Sequence, residues 1–508
     1  ARTIRNDNSS RFGKFVQLEY DQDGSIKGAN TKHFLLEKSR IVKHGRGERN
    51  YHIFYQMCSA FELAPDDPAF EDIQMLRPAK EYKYLKATKT EAVELDKRPV
   101  RGGANNKKKR DGVKIMADRA AEFIEKRGES LKLQDRKEYS ETARSLNDIM
   151  VTVDEQKNIW RVLTAILTMG NLEFVTKQIM ENGKQFNVCD VKEDKEQGQL
   201  EAVAALLGVE TKLLHNALCK RTIKAGNRGS VTSVPLTVDE AGKSRDGLAK
   251  AMYEALFEWL LTRINKATGA AVAALVNQGK KKKKSKKNLW IGILDIFGFE
   301  MLEDNSFEQL CINYANEALQ GMFDNHVFEL ENKAYKKQNI SVKLPFRNND
   351  ELLNMLNMKS TGVFQLMDEQ GALGNRGSDK GFLKAVENTH GNANPRNPRF
   401  GGVDFAKDGR LYFQVNHFAG MVEYTATGMV EKNADHLQAD LADLIAAGGM
   451  PVEPEELDED EQKVNARMQK LPAAGENDEE ENNKDDGSKF HFLQMILKLR
   501  EEKNTAST

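Results

Sequence analysis

No apolar run in this chain approaches the roughly 18–20 residues that a membrane-crossing helix needs, and no signal-peptide pattern opens it. Cysteine is scarce. Cys58, Cys189, Cys219 and Cys311 stand far apart with no C-x-x-C and no zinc spacing, which suits reduced thiols in the cytosol. Net charge is nearly absent too: at −1, the whole molecule carries no electrostatic bias towards nucleic acid or a membrane surface. The most informative gap is a motif, because no G-x-x-x-x-G-K-[ST] occurs anywhere in the 508 residues. The chain opens on Ala rather than Met, inside a motif, which points to a truncated amino terminus.

What is present can build a sizeable core. Hydrophobic residues make up 39%, while 30% charge and a mean hydropathy of −0.62 imply extensive polar loops. The length allows one large folded unit or several domains. Residues 15–35 read as a β-hairpin, with Phe15 to Tyr20 alternating in polarity and Asp21-Gln22-Asp23-Gly24 at the turn. Tyr51, Phe54, Tyr55 and Cys58 share one helical face, and 96–112 reads as a basic insertion ending in Lys107-Lys108-Lys109-Arg110. The next stretch is expected to be predominantly helical, with Ile159, Val162, Leu163, Ile166 and Leu167 in period and a stop at Gly170-Asn171. A second helix is expected from Ala241 to Lys266, and then come seven lysines in the eight residues Lys280–Lys287.

Leu289 to Leu294 is a short, nearly continuous apolar run, as expected of a strand buried on both faces. A long helix should follow to about Ala334, capped by Asn305 with Glu308 three positions on, and with Phe307, Leu310, Cys311, Tyr314, Ala318 and Met322 on its apolar stripe. At ~1.5 Å per residue it would reach roughly 45 Å, a plausible mechanical lever. Further on, Leu411–Val415 and Met421–Tyr424 look like a hairpin. The acidic, apolar-poor stretch 453–486 reads as a linker, and the last apolar run, Phe490 to Leu499, is too short for a domain.

Two short runs carry chemistry. Asn6-Asp7-Asn8-Ser9-Ser10-Arg11-Phe12-Gly13-Lys14-Phe15 offers paired hydroxyls suited to Mg²⁺, and Asp295-Ile296-Phe297-Gly298-Phe299-Glu300 follows the apolar strand. Gly298 lets backbone approach a phosphate without a Cβ in the way, and Asp295 ends a strand where a metal-directed carboxylate can stand. Arg11 and Glu300 carry opposite charges. Breaking such a pair once buried costs on the order of 3–5 kcal/mol, so a bridge formed only when both loops close would act as a latch. Each run alone is more often turn or strand-end packing; both in one chain, each beside a suitable strand, favour a phosphate sensor.

Together the runs resemble switch I and switch II of a myosin motor domain. Kinesins favour Ser-Ser-Arg-Ser-His and Asp-Leu-Ala-Gly, and neither occurs. The resemblance continues in Glu48–Gln56, in Arg245-Asp246 through Trp259, in Asn305–Glu317 (similar to the relay helix), in Val415–Gly420 and in Val430–Asp435, covering roughly residues 1–445. It implies an α/β fold: a P-loop NTPase-like motor core with a partial central sheet and large helical subdomains. Switch I and a transducer hairpin would occupy 1–35 and an upper 50-kDa-like subdomain 36–288. The switch II strand and loop would occupy 289–304, with the relay helix and lower, actin-binding subdomain at 305–445 and an acidic tail at 446–508.

By that resemblance Asn6 and Asn8 would line an ATP pocket, Ser9 would stand near the attacking water and Ser10 on Mg²⁺. Asp295 would support the metal's shell, Gly298 would sense the γ-phosphate, and Arg11–Glu300 would close. Phe382, Lys384, Asn394, Arg396, Arg399 and Phe400 would face actin filaments. The implied function is an actin-based cytoskeletal motor ATPase in the cytoplasm. A catalytically inactive actin-binding or scaffolding protein derived from such a motor stays open, as does an incomplete gene model. The phosphate loop, converter and lever arm are not found, so light chains or calmodulin would bind only through a missing lever, and the polypeptide alone is expected not to hydrolyse ATP. The acidic 453–486 segment should weaken steering towards actin's acidic surface. Lys280–Lys287 and Lys107–Arg110 read as solvated insertions rather than polyanion sites, since nothing aromatic interleaves them. His417 reads as a packed core histidine, not a metal ligand.

Overall fold

The computed structural model describes residues 1–4, 6–86 and 115–441, apart from 117, 121, 125, 182–183, 193–197, 226–229, 270–288, 303, 342–348, 374–375, 394, 406–408 and 435–440. The Lys107–Arg110 and Lys280–Lys287 runs, the acidic stretch and the final apolar run lie outside the described residues.

Alternating polarity closes β1 (Gly13–Tyr20) on β2 (Ile26–Phe34) as an antiparallel hairpin, and Gly24 adopts the φ of +86° that its turn needs. A first helical core follows. Helix α1 (His52–Leu63) buries Phe54, Met57 and Cys58. It packs on α2 (Gly128–Asp148) beside α3 (Val153–Asn171), whose predicted stripe is buried around Trp160. Thr152 and Glu155 cap α3 reciprocally. Gly170 is forced by packing, because a Cβ there would lie 2.6 Å from the Tyr84 ring.

The next segment departs from the helical expectation. Two hairpins, β3 (Phe174–Glu181) with β4 (Lys184–Val191) and β5 (Lys220–Ala225) with β6 (Ser230–Pro235), flank the short helices α4 (Gln199–Leu207) and α5 (Thr211–Cys219). The Asn-Gly pair between β3 and β4 and the alternation on either side of it are the signal that helical periodicity overrode. Helix α6 (Val238–Thr268) is longer than expected at both ends, since Thr237 and Glu240 form its capping box; Leu248, Met252 and Trp259 face the first core.

Strand β7 (Leu289–Asp295) returns to the hairpin and pairs antiparallel with β1, giving the order β2-β1-β7. The expectation of burial on both faces is corrected. Leu289, Trp290, Ile291, Ile293 and Leu294 are 47–57% exposed, because β7 is an edge strand whose faces no described element covers.

A second core begins with α7 (Phe307–Lys337) and includes α8 (Asp350–Asn357), α9 (Val363–Ala372), α10 (Asp379–Val386), α11 (Met429–Ala434) and a meander of β8 (Phe400–Phe405), β9 (Leu411–His417) and β10 (Gly420–Thr425). The cap of α7 sits one residue later than expected. Ser306 is the N-cap, and its N–H donates to Gln309 Oε1 at 3.1 Å. Asn305 uses its amide to pin the preceding loop, accepting from Leu302 N and donating to the carbonyls of Leu302 and Glu423, while Glu308 takes the Lys432 ammonium at 2.8 Å. At ~1.5 Å per residue this 31-residue helix is about 46 Å long. Its apolar stripe is buried only over the first turns; Met322, Phe323 and Leu330 are exposed.

Candidate functional site

The β1–β7 register builds the site. Lys14 pairs with Asp295, so the loop entering β1 and the loop leaving β7 run side by side. The contact is tight: a Cβ on Gly13 would lie 3.3 Å from Ile296 Cγ2. Across this seam Arg11 Nη1 donates to Glu300 Oε1 at 2.9 Å and Nη2 to Oε2 at 3.4 Å. The two charges expected to meet therefore do meet, 289 positions apart in sequence.

Arg11 is shared by two carboxylates. Its Nε donates to Glu37 Oε2 at 2.6 Å, and the same oxygen accepts from Arg40 Nε at 2.6 Å. Arg40 also reaches Glu48 at 2.8 Å. All five groups are buried or nearly so. Burial opposes the Arg11 cation, yet Glu37 and Glu300 outweigh it and raise its pKa. Burial would likewise raise the Glu37 carboxyl, but Arg40 and then Arg11 hold it below the usual range. With Glu37 on Arg11, the buried cation has a carboxylate partner besides Glu300.

Glu300 is placed by helix α7. Asn313 Oδ1 accepts from Glu300 N at 2.8 Å, and Asn313 Nδ2 donates to Glu300 O at 2.7 Å. Gln309 Nε2 donates to the Glu300 carboxylate at 3.1 Å, and Asn316 Nδ2 to Phe297 O at 3.0 Å. Three side chains on successive turns thus grip one loop.

The remaining residues of the two runs are mostly open to solvent. Asn6, Asn8 and Ser10 are exposed, and Asn6 Oδ1 accepts from Asn8 N at 2.9 Å in a local turn. Ser9 is half-buried, and its Oγ accepts from Arg11 Nη1 at 3.3 Å. Asp295 is exposed at the end of β7, and a Cβ on Gly298 would meet nothing within 4 Å. Open hydroxyls, an open carboxylate and unobstructed backbone fit a phosphate–Mg²⁺ group. Among the described residues no group of three or more His, Cys, Asp or Glu could hold a metal ion. A cleft of about 900 Å³ opens nearby between β2 and α6 on one side and Phe307, Glu308 and Lys432 on the other.

Two of the expected filament-facing residues are corrected. Phe382 and Phe400 are buried in the second core, Phe382 edge-on to Phe413 at 5.8 Å, so neither side chain can face a partner. Lys384 and Arg396 are exposed; Arg399 is half-buried 3.7 Å from Glu351, and Asn394 lies outside the described residues. His417 is a buried side chain bonded to Glu317 and Tyr424. Sequence reasoning missed Glu37, Arg40, Gln309 and Asn313. A Leu-Leu-Glu at the end of a strand and an Asn inside a helical stripe read as ordinary surface until their partners are in place.

The model of the myosin head (motor domain) family matches residues 1–506. The chain is 32% identical to Myosin-15 of Arabidopsis thaliana over 464 residues, covering 90% of this chain and 26% of that protein. It is 32% identical to Protein OPAQUE1 of Zea mays over 452 residues (89% and 25%), and 33% identical to Unconventional myosin-VI of Mus musculus over 459 residues (88% and 33%). It spans about a quarter to a third of the length of these relatives. With both switch-like runs bridged beside the sheet and the family match running nearly end to end, this chain belongs to the myosin head family.

Proposed function

We propose that these residues form the switch and relay portion of an actin-based motor ATPase, in which the Arg11–Glu300 bridge reports a terminal phosphate to α7. The observation that carries this reading is the bridge itself, because its carboxylate sits on a loop gripped by Gln309, Asn313 and Asn316. In the assembled motor Ser10 would stand on Mg²⁺ and Asp295 would support the metal's shell, with Asn6 and Asn8 along the nucleotide, Ser9 beside the attacking water and the Gly298 backbone at the γ-phosphate. The bound Mg²⁺–ATP supplies the phosphoryl group and the charge to be stabilised. Closing Arg11 on Glu300 excludes bulk water from the seam, and the pull on α7 reaches the second core. Lys384 and Arg396 offer exposed positive charge to an acidic filament.

A second reading is a filament-binding protein without catalysis, in which the same bridge would serve only to join the two cores. Mapping the 5′ extent of the transcript separates the two. An upstream Gly-Glu-Ser-Gly-Ala-Gly-Lys-Thr run, with actin-stimulated ATP turnover lost in Glu300→Ala, is the result expected of a motor. Filament cosedimentation indifferent to Mg²⁺–ATP, in a protein starting at Ala1, leaves the second reading. For the 508-residue polypeptide itself, titration with a fluorescent ATP analogue and Mg²⁺ should show no tight, saturable binding.

A further inference from the structure

The side chain that grips Glu300 is itself held by a buried chain of polar groups that the latch does not touch. Asn313 Nδ2 donates to the Tyr424 hydroxyl at 2.8 Å. Tyr424 and His417 Nε2 are 2.8 Å apart, and His417 Nδ1 is 3.1 Å from Glu317 Oε2. Glu317 also accepts from Phe418 N and Asn349 Nδ2, each at 3.1 Å. Asn313, Glu317, His417 and Tyr424 are all buried, so an unmade bond anywhere in the chain is costly.

The carboxylate sets the direction of every bond. Ionised Glu317 only accepts, because bonds from His417, Phe418 N and Asn349 overcome burial and keep its carboxyl below the ordinary value. Against that acceptor His417 Nδ1 carries a proton, and in the neutral ring Nε2 is then the acceptor. The Tyr424 hydroxyl then donates to Nε2 and keeps its lone pairs for Asn313 Nδ2. With Nδ2 so committed, Asn313 turns its Oδ1 to the Glu300 N–H. The reversed amide would set N–H against N–H and C=O against C=O at Glu300. Burial pushes the Tyr424 phenol up, so it remains a donor throughout.

We propose that Glu317, His417 and Tyr424 are positioning residues for the switch: their one-way hydrogen-bond chain fixes the Asn313 amide and thereby the backbone of Glu300 in its latching place. This rests on reading Arg11–Glu300 as the latch, and extends it to groups that touch neither partner of the bridge. The chain ties α7 to β9 and β10, so the second core helps decide where the latch carboxylate stands.

Two measurements on the 508-residue protein test it. In the unmutated chain, ¹⁵N-histidine NMR should show His417 as a neutral Nδ1–H tautomer, and Glu317→Gln should remove that preference. An Nε2–H or doubly protonated His417 in the unmutated protein overturns the proposal, whether or not any variant folds. The second is a double-mutant cycle on the urea unfolding constant between Arg11→Ala and Tyr424→Phe. Positioning predicts a coupling of about threefold or more, whereas a merely structural tyrosine gives singles that multiply to within about twofold. Tyr139→Phe, in the first core, is the control and should be additive. An additive Tyr424 cycle, with a clear Arg11→Ala effect that Glu300→Ala shares, sinks this inference and leaves the latch standing. No effect of Arg11→Ala at all sinks the latch, and the proposal with it.

Discussion

Replacing Glu37 by Gln separates a shared-anion latch from a simple ion pair. Glu37 Oε2 accepts from both Arg11 Nε and Arg40 Nε at 2.6 Å, in a site where the arginine side chains are 2% and 3% exposed. Removing one partner of a buried pair costs ~3–5 kcal/mol. Here each arginine keeps a second carboxylate, Glu300 at 2.9 Å and Glu48 at 2.8 Å, so the low end, about 3 kcal/mol, applies. Glu300→Gln is milder: Arg11 keeps Glu37, the lost carboxylate is 16% exposed, and the cost should be about 1 kcal/mol. With ~2–4 °C per kcal/mol, thermal unfolding of the first core should fall by roughly 6–12 °C for Glu37→Gln and 2–4 °C for Glu300→Gln. Buried Trp160 and Trp259 report that transition by fluorescence. The sign with pH follows from the lowered Glu37 carboxyl: its contribution is full above the unfolded value of ~4.3 and is lost as pH falls through the folded value. The two proteins should therefore converge in stability as pH drops from about 5 towards 3. Equal costs for the two substitutions, or a gap that widens on acidification, would refute the reasoning.

Gly298→Ala should leave thermal stability within about 0.5 kcal/mol, since a Cβ there meets nothing, yet abolish any nucleotide response in an ATP-binding parent by occupying the approach of the phosphate. Unchanged nucleotide affinity in that variant would remove Gly298 from the sensor. Ile293→Lys, on the exposed edge strand, should lower self-association in light scattering without lowering the melting temperature, because it adds charge where apolar surface is already wet. Phe382→Ala should cost ~3–5 kcal/mol as a core cavity, while Lys384→Ala should leave stability unchanged and weaken filament cosedimentation at low salt. Normal folding of the Phe382 variant with selective loss of filament binding would restore the view of Phe382 as a surface contact.

Local signals were legible and partner-dependent ones were not. The β1–β2 turn, the Trp160 stripe of α3, the long α6 and the β9–β10 hairpin each follow from alternation, periodicity or capping within about thirty residues of sequence. The Arg11–Glu300 pairing was legible too, because each residue lies in a run distinctive enough to place it. Burial of β7 was misjudged for a different reason: an apolar run says what a strand would bury, not whether a neighbour covers it. Phe382 and Phe400 were misplaced because a segment-level resemblance does not tell which side of a helix or strand turns inward. Glu37 and Asn313 stayed invisible since a polar side chain gains its role only from groups that the fold brings to it.

The same distinction explains how such a site can move. Arg11 rests on Glu37, which the first core holds, and Glu300 rests on Asn313, which the second core holds. Arg11 has a second ionic partner in its own half and Glu300 has hydrogen bonds in its own, so the bridge between them is the contact that would break at least cost. Breaking it leaves Arg11 neutralised by Glu37 and Glu300 bonded to Gln309. Opening it would leave the buried cation paired and the 16%-exposed carboxylate hydrogen-bonded, so a binding event worth only a few kcal/mol could shift the population of a bridge like this.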